Sequence, residues 1–110
     1  MPQIDFDQQI RDLGQLYRSK GKKQKCRFTF TNTGEAPLVV EQVETTCGCT
    51  SATYTRKPVA PGHQGHVTIT FDPSSQSPGL FRKGITVYAN TPGGFTHLFI
   101  KGEVIDNEEQ

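Results

Sequence analysis

No apolar run in this sequence approaches the roughly 18–20 residues that cross a bilayer as a helix. The first ten residues, MPQIDFDQQI, carry neither a basic leader nor an apolar stretch, so no signal peptide is legible there. Charge of one sign is also missing. With 12 Lys and Arg against 11 Asp and Glu, the net charge of +1 gives no global argument for nucleic acid or an acidic membrane surface as partner. Cysteine is sparse and odd in number: three residues cannot all pair within one chain, so at least one thiol stays free. Helical periodicity is absent as well, because the one candidate window, DQQIRDLGQLY, is interrupted at Gly14. No Gly-x-Ser-x-Gly elbow, phosphate-binding loop or His-Glu-x-x-His pair occurs. A Cys–His nucleophile built from Cys47 or Cys49 with His63 has no surrounding pattern that would activate the thiol. The expectation is a protein that is not an enzyme, with no catalytic residue to assign.

What is present is short strands. CRFTFTN alternates Cys26, Phe28 and Phe30 with Arg27, Thr29 and Thr31, the period of a half-buried strand, and stops at Asn32-Thr33-Gly34, where Gly34 is expected to turn the chain through a positive φ. PLVVEQVE reads as a strand opened by Pro37, and SATYTR as a shorter one led by Tyr54. After the Ala60-Pro61-Gly62 turn, HVTITFD sets Val67, Ile69 and Phe71 inward, KGITVYAN sets Ile85, Val87 and Ala89 inward, and THLFIKGEVI does so with Leu98, Ile100 and Val104. The N-terminal segment adds a strand near Ile4–Phe6 and an extended piece near Leu13–Tyr17. Seven to nine mostly antiparallel strands at intervals of about 8–12 residues predict an all-β, Ig-like sandwich. In 110 residues this is one domain, over residues 1–105, followed by a frayed acidic tail, 106–110.

FTFTNTGEAPLVVEQVETTCGCT, APGHQGHVTITFDP, GLFRKGITVYAN and LFIKGEV together resemble a bacterial Ig-like family known as domain of unknown function 1573, frequent in Bacteroidetes. The resemblance covers about residues 11–105 and is also similar, more distantly, to the major sperm protein domain and to the domains of the ciliary protein hydin. It implies a non-catalytic binding or structural module whose partner is an unknown protein or cell-envelope component. It also implies a periplasmic or cell-surface location, since members of the family are usually exported. This chain by itself shows no export signal, which fits a cytoplasmic protein or a trimmed precursor. A monomer is the expected state.

One stretch, Thr45-Thr46-Cys47-Gly48-Cys49-Thr50, carries the alternative to a purely structural reading. Two sulfurs separated by Gly48 can turn to one side. They then serve as a soft-metal site, a redox pair, a small disulfide, or a loop that caps the sandwich. Thiolates favour Cu(I) or Zn(II). Cu(I) is satisfied by two ligands, whereas a closed zinc site takes four, for which His63 and His66 are the available additions. Copper chaperones of cytochrome oxidase assembly are similar in placing Cys-x-Cys on an Ig-like sandwich, with Phe where this sequence has Gly48 and Thr50. Cu(I) is thus the one cofactor the sequence suggests, beside the expectation of none. Cys26 shares the inward phase of Phe28 and reads as a small hydrophobe. Two further features bear on partners. Lys23, Lys25 and Arg27 form a basic outward stripe, with Lys20 and Lys22 just before it. It reads as a solvated edge that discourages aggregation, or as a contact for an anionic partner. Phe99 is out of phase with Leu98 and Ile100, so it is either covered by the N-terminal segment or exposed as an anchor.

Overall fold

The inward positions of each alternating run need a second apolar layer, and the chain supplies it by folding into two sheets face to face. The computed structural model describes residues 1–18 and 22–106. Its strands are β1 (Ile4–Phe6), β2 (Ile10–Tyr17), β3 (Gln24–Asn32), β4 (Val40–Thr45), β5 (Thr50–Tyr54), β6 (Gln64–Phe71), β7 (Gly79–Ala89) and β8 (Phe95–Ile105). One four-stranded sheet has the order β1-β3-β6-β5 and the other β2-β8-β7-β4. All pairings are antiparallel except β2 with β8. The N-terminal segment therefore edges both sheets, pairing as β1 with β3 and then, after Asp7–Gln9, as β2 with β8.

Phe28, Phe30, Val67, Ile69, Phe71, Ile85, Val87, Leu98 and Ile100 are each at most 1% exposed, as the alternation requires. Each such side chain contributes about 1.5–3 kcal/mol on leaving water. Phe71 stacks on Phe81 with ring centroids 4.6 Å apart, and Phe6 meets Phe30 edge-on at 5.5 Å, tying β1 to the core. Cys26 is buried at 3% exposure. Lys23, Lys25 and Arg27 are exposed, in the outward phase. Lys20 and residues 107–110 of the expected tail lie outside the described residues.

Three local readings are corrected. Leu38 does not begin a strand: it forms an isolated bridge to Val59, each donating its N–H to the other's carbonyl at 2.9 and 2.8 Å, and β4 begins at Val40. The extended piece expected near Leu13–Tyr17 begins earlier, at Ile10, and passes Gly14, at φ 75°, as a bulge between Asp12 and Gln15. Gly34 does not take a positive φ. Its lack of a side chain is needed because a Cβ there would collide with the carbonyl oxygen of Met1 and approach Gln3 N to 2.7 Å.

Candidate functional site

The Cys47-Gly48-Cys49 loop carries the chain from β4 in one sheet to β5 in the other, at one end of the sandwich. The two sulfurs are bonded to each other, with Cα atoms 5.2 Å apart. Gly48 has no positive φ and a Cβ on it would meet nothing within 4 Å, so the bend does not depend on glycine. It is held by hydrogen bonds instead. Thr50 donates from N and from Oγ1 to the Cys47 carbonyl at 3.1 and 3.0 Å, and Asp72 N donates to the Cys49 carbonyl at 2.9 Å. Cys49 is buried, while Cys47 is half-buried with Gln76 Nε2 at 3.6 Å from its sulfur. Asp72, beside the loop, accepts from the Ser74 hydroxyl and N–H, and these bonds hold its carboxyl below the usual range.

His63 and His66 do not join this site. His63 precedes β6 and its carbonyl accepts from Asn32 N, whereas Asp72, which touches Cys49, follows the far end of the same strand. The two lie nine positions apart along extended chain, about 30 Å. His66 points away from the core on the outer face, with Nδ1 3.4 Å from Thr55 Oγ1. Among the described residues no three His, Cys, Asp or Glu side chains converge as a metal site. Cys47 and Cys49 joined as a disulfide offer no thiolate. The third cysteine, Cys26, has its thiol pushed up by burial, against a weaker opposing pull from Arg11.

Closing so short a ring removes little unfolded-state entropy, so a Cys47→Ser/Cys49→Ser variant is expected to lose only about 1–2 kcal/mol. Thiol titration of the native protein should find none freely reactive, one after denaturation, and three after denaturation with reductant. Two or more thiols in denatured, unreduced protein would contradict the bond.

The outward faces of the two sheets differ sharply in chemistry. On β1-β3-β6-β5 the outward residues are Lys25, Arg27, Thr29 and Thr31 opposite Thr70, Thr68, His66 and Gln64, with Ser51 and Thr53 beyond. On β2-β8-β7-β4 the register sets Ile10 beside Phe99, Phe95 beside Tyr88, Leu80 beside Glu103 and Tyr17 beside Ile105. Phe95 also meets Tyr88 and His97 at ring distances of 6.3 and 5.1 Å. Glu44 accepts the Tyr88 hydroxyl at 3.1 Å, and that bond with the carboxylate's charge pushes the phenol's pKa up. Phe99 is half-buried, and its lid is the Arg82 guanidinium, 4.3 Å over the ring. The expected cover from the N-terminal segment lies beside the ring, as β2, rather than over it. An open hollow of about 430 Å³ beside the Gly14 bulge is lined by Leu80, Phe81, Arg82, Asp12, Gln15 and Lys101 among others.

No curated protein matches this chain. Among solved structures, a protein of unknown function from Porphyromonas gingivalis W83 is 23% identical with a TM-score of 0.80, over 93% of this chain and 46% of that one. The chain thus spans about half the length of that relative. The seventh PapD-like (ASH) domain of human CEP192 is 11% identical, with a TM-score of 0.75 over 96% of this chain and 87% of its own. The C. elegans MSP family member WR4 is 10% identical, with a TM-score of 0.57 over 93% and 97%. At such identities the likeness is one of fold, an Ig- or PapD-like sandwich. The family described as "Protein of unknown function (DUF1573)" matches residues 4–104, nearly the whole chain, and this protein belongs to it.

Proposed function

We propose that this domain is a non-catalytic interaction module that binds another polypeptide through the outward face of the β2-β8-β7-β4 sheet. The observation that carries this reading is where the exposed apolar side chains lie. Ile10, Tyr17, Leu80 and Phe95 are 49, 48, 86 and 52% exposed, and all four sit on that one face, while the opposite face is hydroxyl-rich and charged. The four are strung along the length of β8, from Phe95 to the level of Ile105, with His97, Lys101 and Glu103 between them, so the face offers a partner a strip of separate apolar contacts. Aromatic anchors framed by polar groups are what polypeptide partners bury most profitably. Here Phe95, Tyr88 and Phe99 are framed by Glu44, Thr86 and Arg82. The Cys47–Cys49 bond supports an oxidising setting, the periplasm or cell surface, because such bonds persist there and are rare in the cytosol.

A photo-crosslinking residue placed at Phe95 in the host cell tests the reading, with the same residue at Thr68 on the opposite face as control. We expect a discrete adduct to another protein from position 95 only, suppressed by Ile10→Ser with Leu80→Ser. The same adduct from both positions, none from position 95, or only a second copy of this chain would overturn it.

A further inference from the structure

On the other sheet, β3 is paired along its length with β6 on one side, from Gln24 to Thr31, but with β1 only from Phe30 to Asn32 on the other. Past Phe6 the chain leaves for the opposite sheet, and the last backbone bond it gives β3 is from Asp7 N to the Thr29 carbonyl at 3.0 Å. In a strand, every second residue turns its N–H and C=O to the same side. Thr33 donates to Gln3 and Thr29 accepts from Asp7, so Arg27 and Lys25 also face this side. Beyond Asp7 no strand of the described residues stands opposite them. The Arg27 carbonyl takes one side-chain donor, Arg11 Nη1 from β2 at 2.7 Å. The remaining groups are the Arg27 N–H and the N–H and C=O of Lys25. A polar hollow of about 310 Å³ lined by Asp7, Gln8, Arg11, Arg27, Phe28 and Thr29 runs along this edge.

We propose that this free stretch of β3, Gln24 to Phe28, accepts an extended acidic peptide as an added strand. Charge selects the occupant. Lys25 and Arg27 project outward from the edge two residues apart, Arg11 reaches it from the other sheet, and none of the three is in an ion pair among the described residues. A strand laid alongside would set its own outward residues about 4.5–5.5 Å from Lys25 and Arg27. Carboxylates at alternate positions of the peptide therefore match this edge, and uncharged or basic residues there do not. The peptide backbone takes the unmatched groups of Lys25 and Arg27, as in other strand additions. A peptide N–H also replaces Arg11 at the Arg27 carbonyl, freeing the guanidinium for a charge-assisted bond to a carboxylate. The rival explanation of the same residues is that basic charge keeps the edge from pairing with anything. That explanation gives the edge no affinity for a matched peptide. The site is on the sheet opposite Ile10, Leu80 and Phe95 and stands independently of the outward-face reading.

The test is a titration of the isotopically labelled chain with a synthetic seven-residue peptide alternating glutamate and valine, followed by amide chemical shifts and hydrogen exchange. The expected result is saturable binding that shifts the Lys25 and Arg27 amides and slows their exchange at least tenfold. N-methylating every second peptide residue on the pairing side should abolish binding while leaving the charge intact. Lys25→Gln with Arg27→Gln should weaken it at least tenfold with an unchanged melting temperature, since both side chains are solvated. Equal binding of the N-methylated peptide would show an anionic-polymer site instead of strand addition. No binding at millimolar peptide would leave these charges as edge protection, and either result overturns the proposal.

Discussion

Replacing Asn32 with leucine should cost about 3–5 kcal/mol of folding stability, a large share of the roughly 5–15 kcal/mol that holds a domain of this size. Asn32 is fully buried, and every polar group it has is used. Its Nδ2 donates to the carbonyls of Ala36 and Val59 at 2.8 and 2.9 Å. Its Oδ1 accepts from Gly34 N at 3.0 Å and Gln3 N at 3.3 Å. The backbone of the same residue donates to the His63 carbonyl and accepts from Gly62 N. One side chain thus fastens the N-terminal segment, the turn after β3 and the segment that carries Val59 into the core. Leucine fills much of the volume but strips the Ala36 carbonyl and the Gly34 and Gln3 N–H groups of this partner and leaves the Val59 carbonyl with Leu38 N alone, each lost bond costing about 1–3 kcal/mol where water cannot reach. Asn32→Asp should also be strongly destabilising, because a carboxylate keeps the acceptor and loses both donors. Denaturant unfolding reads the effect as a lower midpoint at constant slope. A loss under about 1 kcal/mol for the leucine variant would mean that water satisfies these groups and that the side chain is no fastener.

Phe30→Ala should be as damaging, at about 3–5 kcal/mol. The Phe30 ring has no solvent exposure and packs edge-on to Phe6. It lies over Gly65 so closely that a Cβ there would stand 2.5 Å from its Cζ. Gly65 is its partner across the β3–β6 ladder, so the missing side chain on one strand makes room for the ring on the other. Truncation leaves a void with glycine as its floor and removes the anchor of β1, so little can collapse to fill it. Phe71→Ala, at the other end of β6 and stacked on Phe81, should lose a similar amount. A loss under about 1 kcal/mol at both positions would mean that the inward phase of these strands is misassigned.

The phases that make those phenylalanines inward were legible in the sequence, because alternation is local and a strand can satisfy it in only one way. Asn32 was not. Its triplet Asn32-Thr33-Gly34 reads as an ordinary turn, and nothing local says that carbonyls four and 27 residues away converge on its amide. The Leu38–Val59 bridge escaped for the same reason, since Val59 sits in a proline-flanked segment that looks like loop. The Cys-x-Cys spacing permitted a bond, a metal or neither, and the hydrogen bonds that shape the loop come from Thr50 and Asp72, outside the motif. His63 and His66 are close to each other in sequence but are carried away from Cys49 by the length of β6. The apolar outward face was half visible. Phe99 stood out by its phase, but its neighbour Ile10 comes from the parallel pairing of β2 with β8. Leu80 and Phe95 sit at strand ends, where alternation carries little information.

The measurement that bears most directly on the domain as a binding module is the affinity of the protein crosslinked at position 95 for three purified forms of this chain. These are the native sequence, Phe95→Ser with Leu80→Ser, and Thr68→Ala on the opposite face. The prediction is a dissociation constant at least tenfold weaker for the first variant, the loss of about 1.4 kcal/mol or more that marks an anchor residue. The Thr68→Ala form should bind as the native chain does, and all three should melt together. Equal affinity of the Phe95→Ser/Leu80→Ser form and the native chain would contradict the account.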